Sequence, residues 1–261
     1  MSLENNATLK MINNILDGTT PVHDWATKSD IDAMFTYPTF ANATWAEIAD
    51  ISEAGLARAV FNVGDEKTIS LSTGEQVTLV ILGFNHDDLS DGSGKAGMTI
   101  GMKNLLATTY RMNSANTNAG GWNSSYMRTQ TMATLLSRLP SDLQSAIKQV
   151  NKKATAGGKS TSIVTSADKL WLLAEVEVDG TTDAGYADEG IQYEYWKTVK
   201  DGTVAADRIK YLSNGSGSPN YWWLRSPSLS YTTYFGSFTN AGGISSSGAS
   251  SVRGVSFVFC V

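Results

Sequence analysis

The chain has 261 residues, a formal net charge of -5 at neutral pH and one cysteine, Cys260. Nucleic-acid binding selects basic faces, so this acidic balance argues against a nucleic-acid partner. A lone cysteine forms neither an intrachain disulfide nor a thiolate metal cluster, and we expect Cys260 to be buried as a small apolar side chain. There is no charged-then-apolar leader and no apolar run of about 18 residues, so neither a signal peptide nor membrane insertion is predicted.

Residues 1–43 carry the weakest pattern in the chain. A short amphipathic helix ending at Gly18 and a second helix capped by Ser29 are predicted there, interrupted by prolines. Such a segment suits either of two roles, docking on a partner or forming an irregular cap on the domain. We therefore predict an N-terminal segment, 1–43, followed by one domain, 44–261.

The first half of this domain has two clear local signals. Thr44 and Glu47 stand at the spacing of a capping box, in which each side chain satisfies a backbone N–H of the other residue at the start of a helix. Segments 67–71 and 76–84 alternate apolar and polar residues around a glycine turn, which predicts a β-hairpin. Another strand is predicted over 98–106.

The segment after this hairpin is rich in aspartate. Asp87, Asp88 and Asp91 suggest a calcium loop, but their spacing lacks the alternation and the terminal Glu of an EF-hand. A turn whose carboxylates accept local backbone bonds is the other open interpretation. No cofactor is otherwise predicted, because His23 and His86 stand at no metal-ligand spacing.

Helical patterns occupy the middle of the chain. A helix is predicted over 125–139, ended by Pro140, and another over 141–147. Trp122, just ahead of the first helix, either packs beneath it or stacks on a sugar.

Two strands are predicted next, 149–154 and 170–178, joined by the polar tract 155–166. Residues 179–207 show no period and are predicted to be a long loop, a kind of segment that is often functional. Its aromatic residues are expected to flank the binding surface. They are Tyr193, Tyr195 and Trp196.

The C-terminal tract combines apolar ends with a charge-free middle. Trp222 to Leu224 form an apolar block, and 255–261 alternates as a half-buried strand. The residues between Pro227 and Val252 include no Lys, Arg, Asp, Glu, Gln, His, Met or Trp. Tyr, Ser, Gly and Asn together are typical of antibody paratopes, whereas a Ser/Gly-rich linker is the other interpretation of the same composition. Four aromatic rings within 231–238 favour the paratope.

Two strings carry a resemblance to a known group of proteins, NYWWLRSP at 220–227 and GVSFVFCV at 254–261. With the tract between them, they resemble the C-terminal signature of a domain family of gut bacteria and their phages, similar to the variable proteins of diversity-generating retroelements. The resemblance implies an α+β, C-type-lectin-like fold of the formylglycine-generating-enzyme type, with mixed or antiparallel sheets and two or more flanking helices. In such systems an error-prone reverse transcriptase substitutes template adenines, and an AAC codon cannot then become Lys, Glu, Gln, Met or Trp. None of these residues occurs in 228–252.

The resemblance also implies roles for residues of the variable region, about 220–261. The ligand-facing positions are Ser228, Ser230, Tyr231, Thr232, Tyr234, Phe235, Ser237, Phe238, Asn240, Ile244, Ser245, Ser247 and Ser250. The scaffold positions are Trp222, Trp223, Arg225, Gly254 and Phe257. Arg225 is expected to anchor the variable hairpin by bonding its backbone carbonyls, and Arg253 to do the same at the other end. We further expect exposed rings at Tyr231, Tyr234 and Phe238 above a buried base of Trp222, Leu224, Val255, Phe257 and Phe259.

These features favour binding over catalysis. The chain has no nucleophile elbow, phosphate-binding loop or dinucleotide fingerprint, and it has one cysteine where the formylglycine-generating enzymes use a pair. We predict a ligand- or receptor-binding protein of phage receptor-binding or cell-surface adhesin type, located on a phage virion or a bacterial cell surface. Its expected partners are a protein or glycan receptor, and a second copy or a phage tail component. The alternatives are a structural protein of the phage particle and an enzyme of the formylglycine-generating type.

Overall fold

The computed structural model describes residues 38–181, 187 and 189–261. Over these residues the protein is α+β, with antiparallel sheets and few helices. The predicted helices before residue 36, and His23, lie outside the described residues.

The largest sheet has five strands in the order β1-β2-β3-β12-β7, and each neighbouring pair is antiparallel. The strands are β1 (Glu66–Ser70), β2 (Gln76–Phe84), β3 (Met98–Met102), β7 (Trp171–Leu172) and β12 (Phe257–Cys260). The predicted β1–β2 hairpin is confirmed, with Ile69 opposite Val77. The C-terminal strand β12 lies between β3 and β7, where Phe259 is paired with Ile100 and Val258 with Trp171.

The described residues also form short helices. They are α1 (Trp45–Glu53), α2 (Ala57–Val60), α3 (Gly121–Ser124), α4 (Met132–Leu136), α5 (Ser141–Ala146), α6 (Glu175–Asp179) and α7 (Tyr195–Thr198), with a π-helical segment at Met127–Thr131 and a 3-10 turn at Ala205–Arg208. The capping box at the start of α1 is confirmed, because Thr44 and Glu47 each accept the backbone N–H of the other. The helix predicted over 125–139 is shorter than expected and begins with the π-helical segment.

The polar tract 155–166, which was predicted to join two strands, contains the first residues of a strand of its own. β5 (Val150–Thr155) pairs with β6 (Ile163–Asp168), and most of β6 is exposed or half-buried, which explains its polar sequence. The strand predicted over 170–178 is wrong beyond Leu172. There the Glu177 carboxylate accepts the backbone N–H of Ala174 at 3.0 Å and begins α6. The predicted loop 179–207 likewise contains α7.

A separate three-stranded sheet, in the order β10-β9-β8, contains the C-terminal tract. β8 (Trp222–Pro227) pairs with β9 (Tyr234–Phe238), and β9 pairs with β10 (Ile244–Gly248), all antiparallel. A short strand that follows, β11 (Val252–Arg253), pairs with β4 (Tyr110–Arg111). Residues 228–251, called here the display hairpin, therefore lie between two paired strands, β8 before them and β11 after them.

The base beneath the display hairpin is buried as predicted. Trp222, Leu224, Val255, Phe257 and Phe259 all have relative exposures of 0%. Tyr193, Tyr195 and Trp196, which were expected to flank the binding surface, are also buried, and that prediction is wrong. Tyr195 and Trp196 belong to α7, which packs beside β2, and the Tyr193 ring packs against His86 with ring centroids 4.0 Å apart.

Candidate ligand-binding face on the C-terminal hairpin

The display hairpin has one accessible edge and one buried strand. Among the thirteen predicted ligand-facing positions, Ser230, Tyr231, Thr232 and Asn240 are exposed, and Tyr234, Ile244, Ser245 and Ser250 are half-buried. The remaining five are buried: Ser228, Phe235, Ser237, Phe238 and Ser247.

The burial of these five residues corrects the sequence-based prediction. Three of them, Phe235, Ser237 and Phe238, lie on β9. Because β9 is the central strand of its sheet and both of its faces are covered, consecutive residues Ser237 and Phe238 are both buried. Phe238 packs against Trp222 with ring centroids 4.7 Å apart, so the predicted exposure of this ring is wrong. The Ser237 and Ser247 hydroxyls lie 3.2 Å apart and satisfy each other inside the sheet.

Hydrogen bonds from Asn118 fix the loop between β8 and β9. The Asn118 side-chain nitrogen donates to the carbonyls of Tyr231 at 2.8 Å and Tyr234 at 2.9 Å, with a longer contact of 3.3 Å to that of Ser228. The Asn118 backbone N–H donates to the Thr232 carbonyl at 2.8 Å. Asn118 is fully buried, so one side chain fixes the path of the loop without occupying its outer surface.

Sequence reasoning missed Asn118. It stands in an asparagine-rich stretch, 113–118, in which no pattern separates it from its neighbours. Only the fold brings this residue, more than 100 positions away in sequence, beneath the loop.

Two tyrosines form the aromatic part of the accessible edge. Tyr231 is 56% exposed, Tyr234 is half-buried, and their ring centroids lie 5.1 Å apart at an interplanar angle of 44°. The Ser228 hydroxyl accepts the backbone N–H groups of Ser230 and Tyr231, each at 3.2 Å. The predicted exposure of Tyr231 is confirmed, and its ring is displayed from a hydrogen-bonded turn.

Arg225 is an anchor, but its partners are not those expected. Its guanidinium donates to the carbonyls of Lys153, Leu172 and Glu189, each at 2.9 Å, and forms a bidentate pair with Glu177. The predicted bonds to carbonyls of the display hairpin are therefore wrong. Arg225 points away from the hairpin and ties β8 to β5, β7 and α6.

This ion pair belongs to a buried polar network. The Lys152 ammonium donates to Glu177 at 2.8 Å, to the Tyr193 hydroxyl at 3.1 Å and to Asp87. Burial opposes ionisation of Glu177, but the charges of Arg225 and Lys152 outweigh it and lower the Glu177 pKa. The network joins five separate segments of the chain, at Asp87, Lys152, Glu177, Tyr193 and Arg225.

The other end of the hairpin is fixed by Arg253 and Gly254. Arg253 donates to the Ser247 hydroxyl at 2.9 Å and lies over the Tyr221 ring, 4.9 Å from its centroid. Gly254 exchanges backbone bonds with the chain at Tyr221 and Trp223, and a Cβ atom added to Gly254 would lie 2.5 Å from a Leu105 methyl carbon. A side chain at 254 would therefore require the buried Leu105 side chain to shift.

The other candidate residues of the sequence do not converge on one site. Cys260 is buried, as expected, and burial raises its thiol pKa well above the usual value. Trp122 is buried and its indole donates to Asp168 at 2.9 Å, so the packing interpretation of this residue is confirmed.

The three aspartates of the proposed calcium loop have separate partners. Asp87 pairs with Lys152, Asp88 with Lys95, and Asp91 accepts from Ser93. Among the residues that the structure describes, no group of three or more His, Cys, Asp and Glu side chains is placed to hold a metal ion. Over the same residues, no helix has the length and apolar character needed to cross a membrane.

Comparisons with known proteins identify the family to which the chain belongs. The family described as "Domain of unknown function (DUF6273)" matches residues 96–261, and the chain belongs to it. No curated protein and no solved structure matches the chain.

Proposed function

We propose that this member of the DUF6273 family is a non-catalytic binding protein that contacts a protein or glycan receptor through the accessible edge of its display hairpin. The observation that carries the proposal is the Tyr231 loop. A ring that is 56% exposed is held on a loop whose backbone is fixed by the buried Asn118 amide. A fixed loop loses little conformational entropy on binding, and exposed tyrosines are enriched at the energetic centres of interfaces.

The distribution of substitutable positions supports the same function. Ser230, Thr232 and Asn240 are exposed around Tyr231, and exposed substitutions usually change the free energy of unfolding by less than about 0.5 kcal/mol. The fixed positions beneath them, Trp222 and Arg225, are fully buried. A surface that tolerates change above a rigid base is what a variable protein of a diversity-generating retroelement requires, and we propose that role here, on a C-type-lectin-like fold.

Binding is tested with the labelled full chain on a glycan array and on a panel of whole bacterial cells. Tyr231→Ala should weaken the strongest interaction by roughly 30-fold, because an aromatic anchor at the centre of an interface is worth about 2 kcal/mol. Tyr211→Ala is the matched control, since Tyr211 is 42% exposed and lies outside the display hairpin. Binding that survives Tyr231→Ala, or that Tyr211→Ala weakens equally, would place the contact surface elsewhere.

The retroelement role has a test of its own. The DNA around the coding sequence should contain a reverse-transcriptase gene and a near-copy of the segment that encodes the display hairpin. In that copy, adenines should stand at codons for exposed residues such as Tyr231 and Thr232. A copy whose adenines fall on codons for the buried Phe235 and Phe238 would contradict the assignment.

A further inference from the structure

A loop outside the display hairpin adjoins its accessible edge. This asparagine loop, defined as residues 113–118, is hydrogen-bonded to the hairpin at both of its ends. The Asn113 backbone N–H donates to the Ala249 carbonyl at 2.9 Å. At the other end, the Asn118 backbone N–H donates to the Thr232 carbonyl at 2.8 Å. The position of the loop relative to the hairpin is therefore fixed.

Two of the three asparagines in this loop use their side-chain amides to hold the structure. The Asn113 amide donates to the Thr117 carbonyl at 2.7 Å and accepts the Tyr126 backbone N–H at 2.8 Å. The Asn118 amide donates to the hairpin carbonyls described above. Asn116 differs from both, because it is exposed and its amide has no hydrogen-bond partner among the residues that the structure describes. No structural role accounts for this amide.

The Asn116 amide lies against the accessible edge of the hairpin. A Cβ atom added to Gly248 would lie 2.9 Å from Asn116 Oδ1, so the amide occupies the space that a side chain at 248 would enter. Gly248 is paired with Tyr234, and directly opposed residues of antiparallel strands direct their side chains to the same face of the sheet. The Tyr234 ring in turn lies 5.1 Å from the Tyr231 ring. The amide and the two rings therefore form one continuous surface.

The polar groups of this surface are uncharged. Neither the asparagine loop nor the display hairpin contains a Lys, Arg, Asp, Glu or His. Arg253, which follows the hairpin, is bonded to protein groups. Exposed cations stand next to the surface at Arg111, just before the loop, and at Lys159, whose neighbour Gly158 donates its backbone N–H to Asn118 at 2.9 Å. The part formed by the amide and the rings is neutral.

A neutral, hydroxyl-rich ligand fits these groups. Among the described residues, the side-chain hydroxyls of Tyr231 and Thr232 have no hydrogen-bond partner, and hydroxyls and amides can each donate and accept, as the hydroxyls of a sugar do. The negative face of an aromatic ring attracts the C–H bonds on one face of a sugar ring. About a quarter of the residues of an average protein are charged, and charges buried against this surface would find no partner on it.

We propose that Asn116 is a ligand-contacting residue beside the display hairpin and that the ligand is an uncharged glycan. The inference rests on the proposed function, because it adds a residue and a ligand class to the same site. Asn116 lies outside residues 228–251, so it contributes the same amide to every sequence of the hairpin. The hairpin then selects among glycans that all meet this amide.

A glycan array with neutral oligosaccharides of hexoses and N-acetylhexosamines, beside sialylated and sulfated ones, tests the ligand class. The labelled full chain should give its strongest signals on neutral probes. That binding should change by less than about 2-fold between about 50 mM and about 500 mM NaCl, because it has no ion pair to be screened. Stronger binding to acidic probes, or a steep loss with salt, would overturn the assignment and place Arg111 or Lys159 in the contact.

Whole bacterial cells that bind the chain separate a glycan from a protein receptor. Mild periodate oxidation, which cleaves the vicinal diols of sugars, should abolish binding, whereas protease treatment of the cells should leave it. A receptor that protease destroys and periodate spares would be a protein, and the glycan assignment would fail while the proposed function stands. No binding to any glycan or cell would overturn both.

Asn116→Ala tests the residue itself on the neutral probe that binds best. It should weaken binding about 10-fold, because the hydrogen bonds of the amide to the glycan are lost, and it should keep the wild-type melting temperature. Asn62→Ala is the matched control, since Asn62 is exposed and lies just before β1, and it should change binding by less than about 2-fold. If Tyr231→Ala weakens binding and Asn116→Ala does not, the role of Asn116 is refuted and the proposed function stands. If neither variant weakens binding, the proposed function fails as well.

Discussion

The buried Arg225–Glu177 pair gives the sharpest test of what holds β8, the strand that precedes the display hairpin, against the rest of the protein. Arg225→Ala removes both hydrogen bonds to Glu177 and leaves three backbone carbonyls, those of Lys153, Leu172 and Glu189, without this donor. Removing one partner of a buried ion pair typically costs about 3–5 kcal/mol, because the remaining charge stays buried. For a chain of this size we expect the melting temperature to fall by about 6–20 °C.

The same chain offers a matched surface pair. Arg58 forms a bidentate pair with Glu194, but its side chain is 57% exposed. Arg58→Ala should therefore change the free energy of unfolding by no more than about 1 kcal/mol. Both variants are compared with wild type by urea and thermal unfolding at neutral pH. Equal losses for Arg225→Ala and Arg58→Ala would refute the reasoning that burial gives the Arg225 pair its importance.

Two further outcomes follow from burial within the hairpin and at Glu189. Ser230→Asn and Thr232→Asn should each change the free energy of unfolding by less than about 0.5 kcal/mol, because both residues are exposed. Ser237→Asn should lower the free energy of unfolding several-fold more, because the larger amide overfills the buried contact with Ser247. Equal effects in urea unfolding would contradict the assigned burial. For Glu189, a folded-state pKa of about 7 against an ordinary value of 4.5 means that the wild type loses stability as pH rises through this interval. Relative to wild type, Glu189→Gln should therefore gain roughly 3 kcal/mol between about pH 4 and pH 8, and a constant difference across this range would show that Glu189 ionises normally.

The local signals of the sequence predicted the first half of the fold well. The β1–β2 hairpin and the capping box of α1 both depend on residues that are close in sequence, and both are confirmed. β6 was missed because a strand with most of its residues exposed or half-buried carries polar residues, and its pairing with β5 supplies the order that its composition does not show.

The candidate site was predictable only in part, for a different reason. Composition identified the hairpin and its exposed Tyr231, but it could not show that β9 is a central strand with Phe235 and Phe238 inside. The support beneath the hairpin comes from distant segments. Asn118 and the Glu177 partner of Arg225 have no local pattern that relates them to residues 228–251, so three-dimensional contacts were needed to find them.

The central position of β12 has a consequence for how changes in the coding sequence affect the protein. The strand Phe257–Cys260 is encoded after the display hairpin, yet it lies between β3 and β7 in the main sheet. A stop codon or a shift of reading frame within 228–251 would therefore delete an interior strand, and β3 would lose its pairing on one side. Base substitutions that keep the reading frame leave this strand intact. Chains that are truncated or frame-shifted within the hairpin therefore lack this interior strand and do not complete the main sheet.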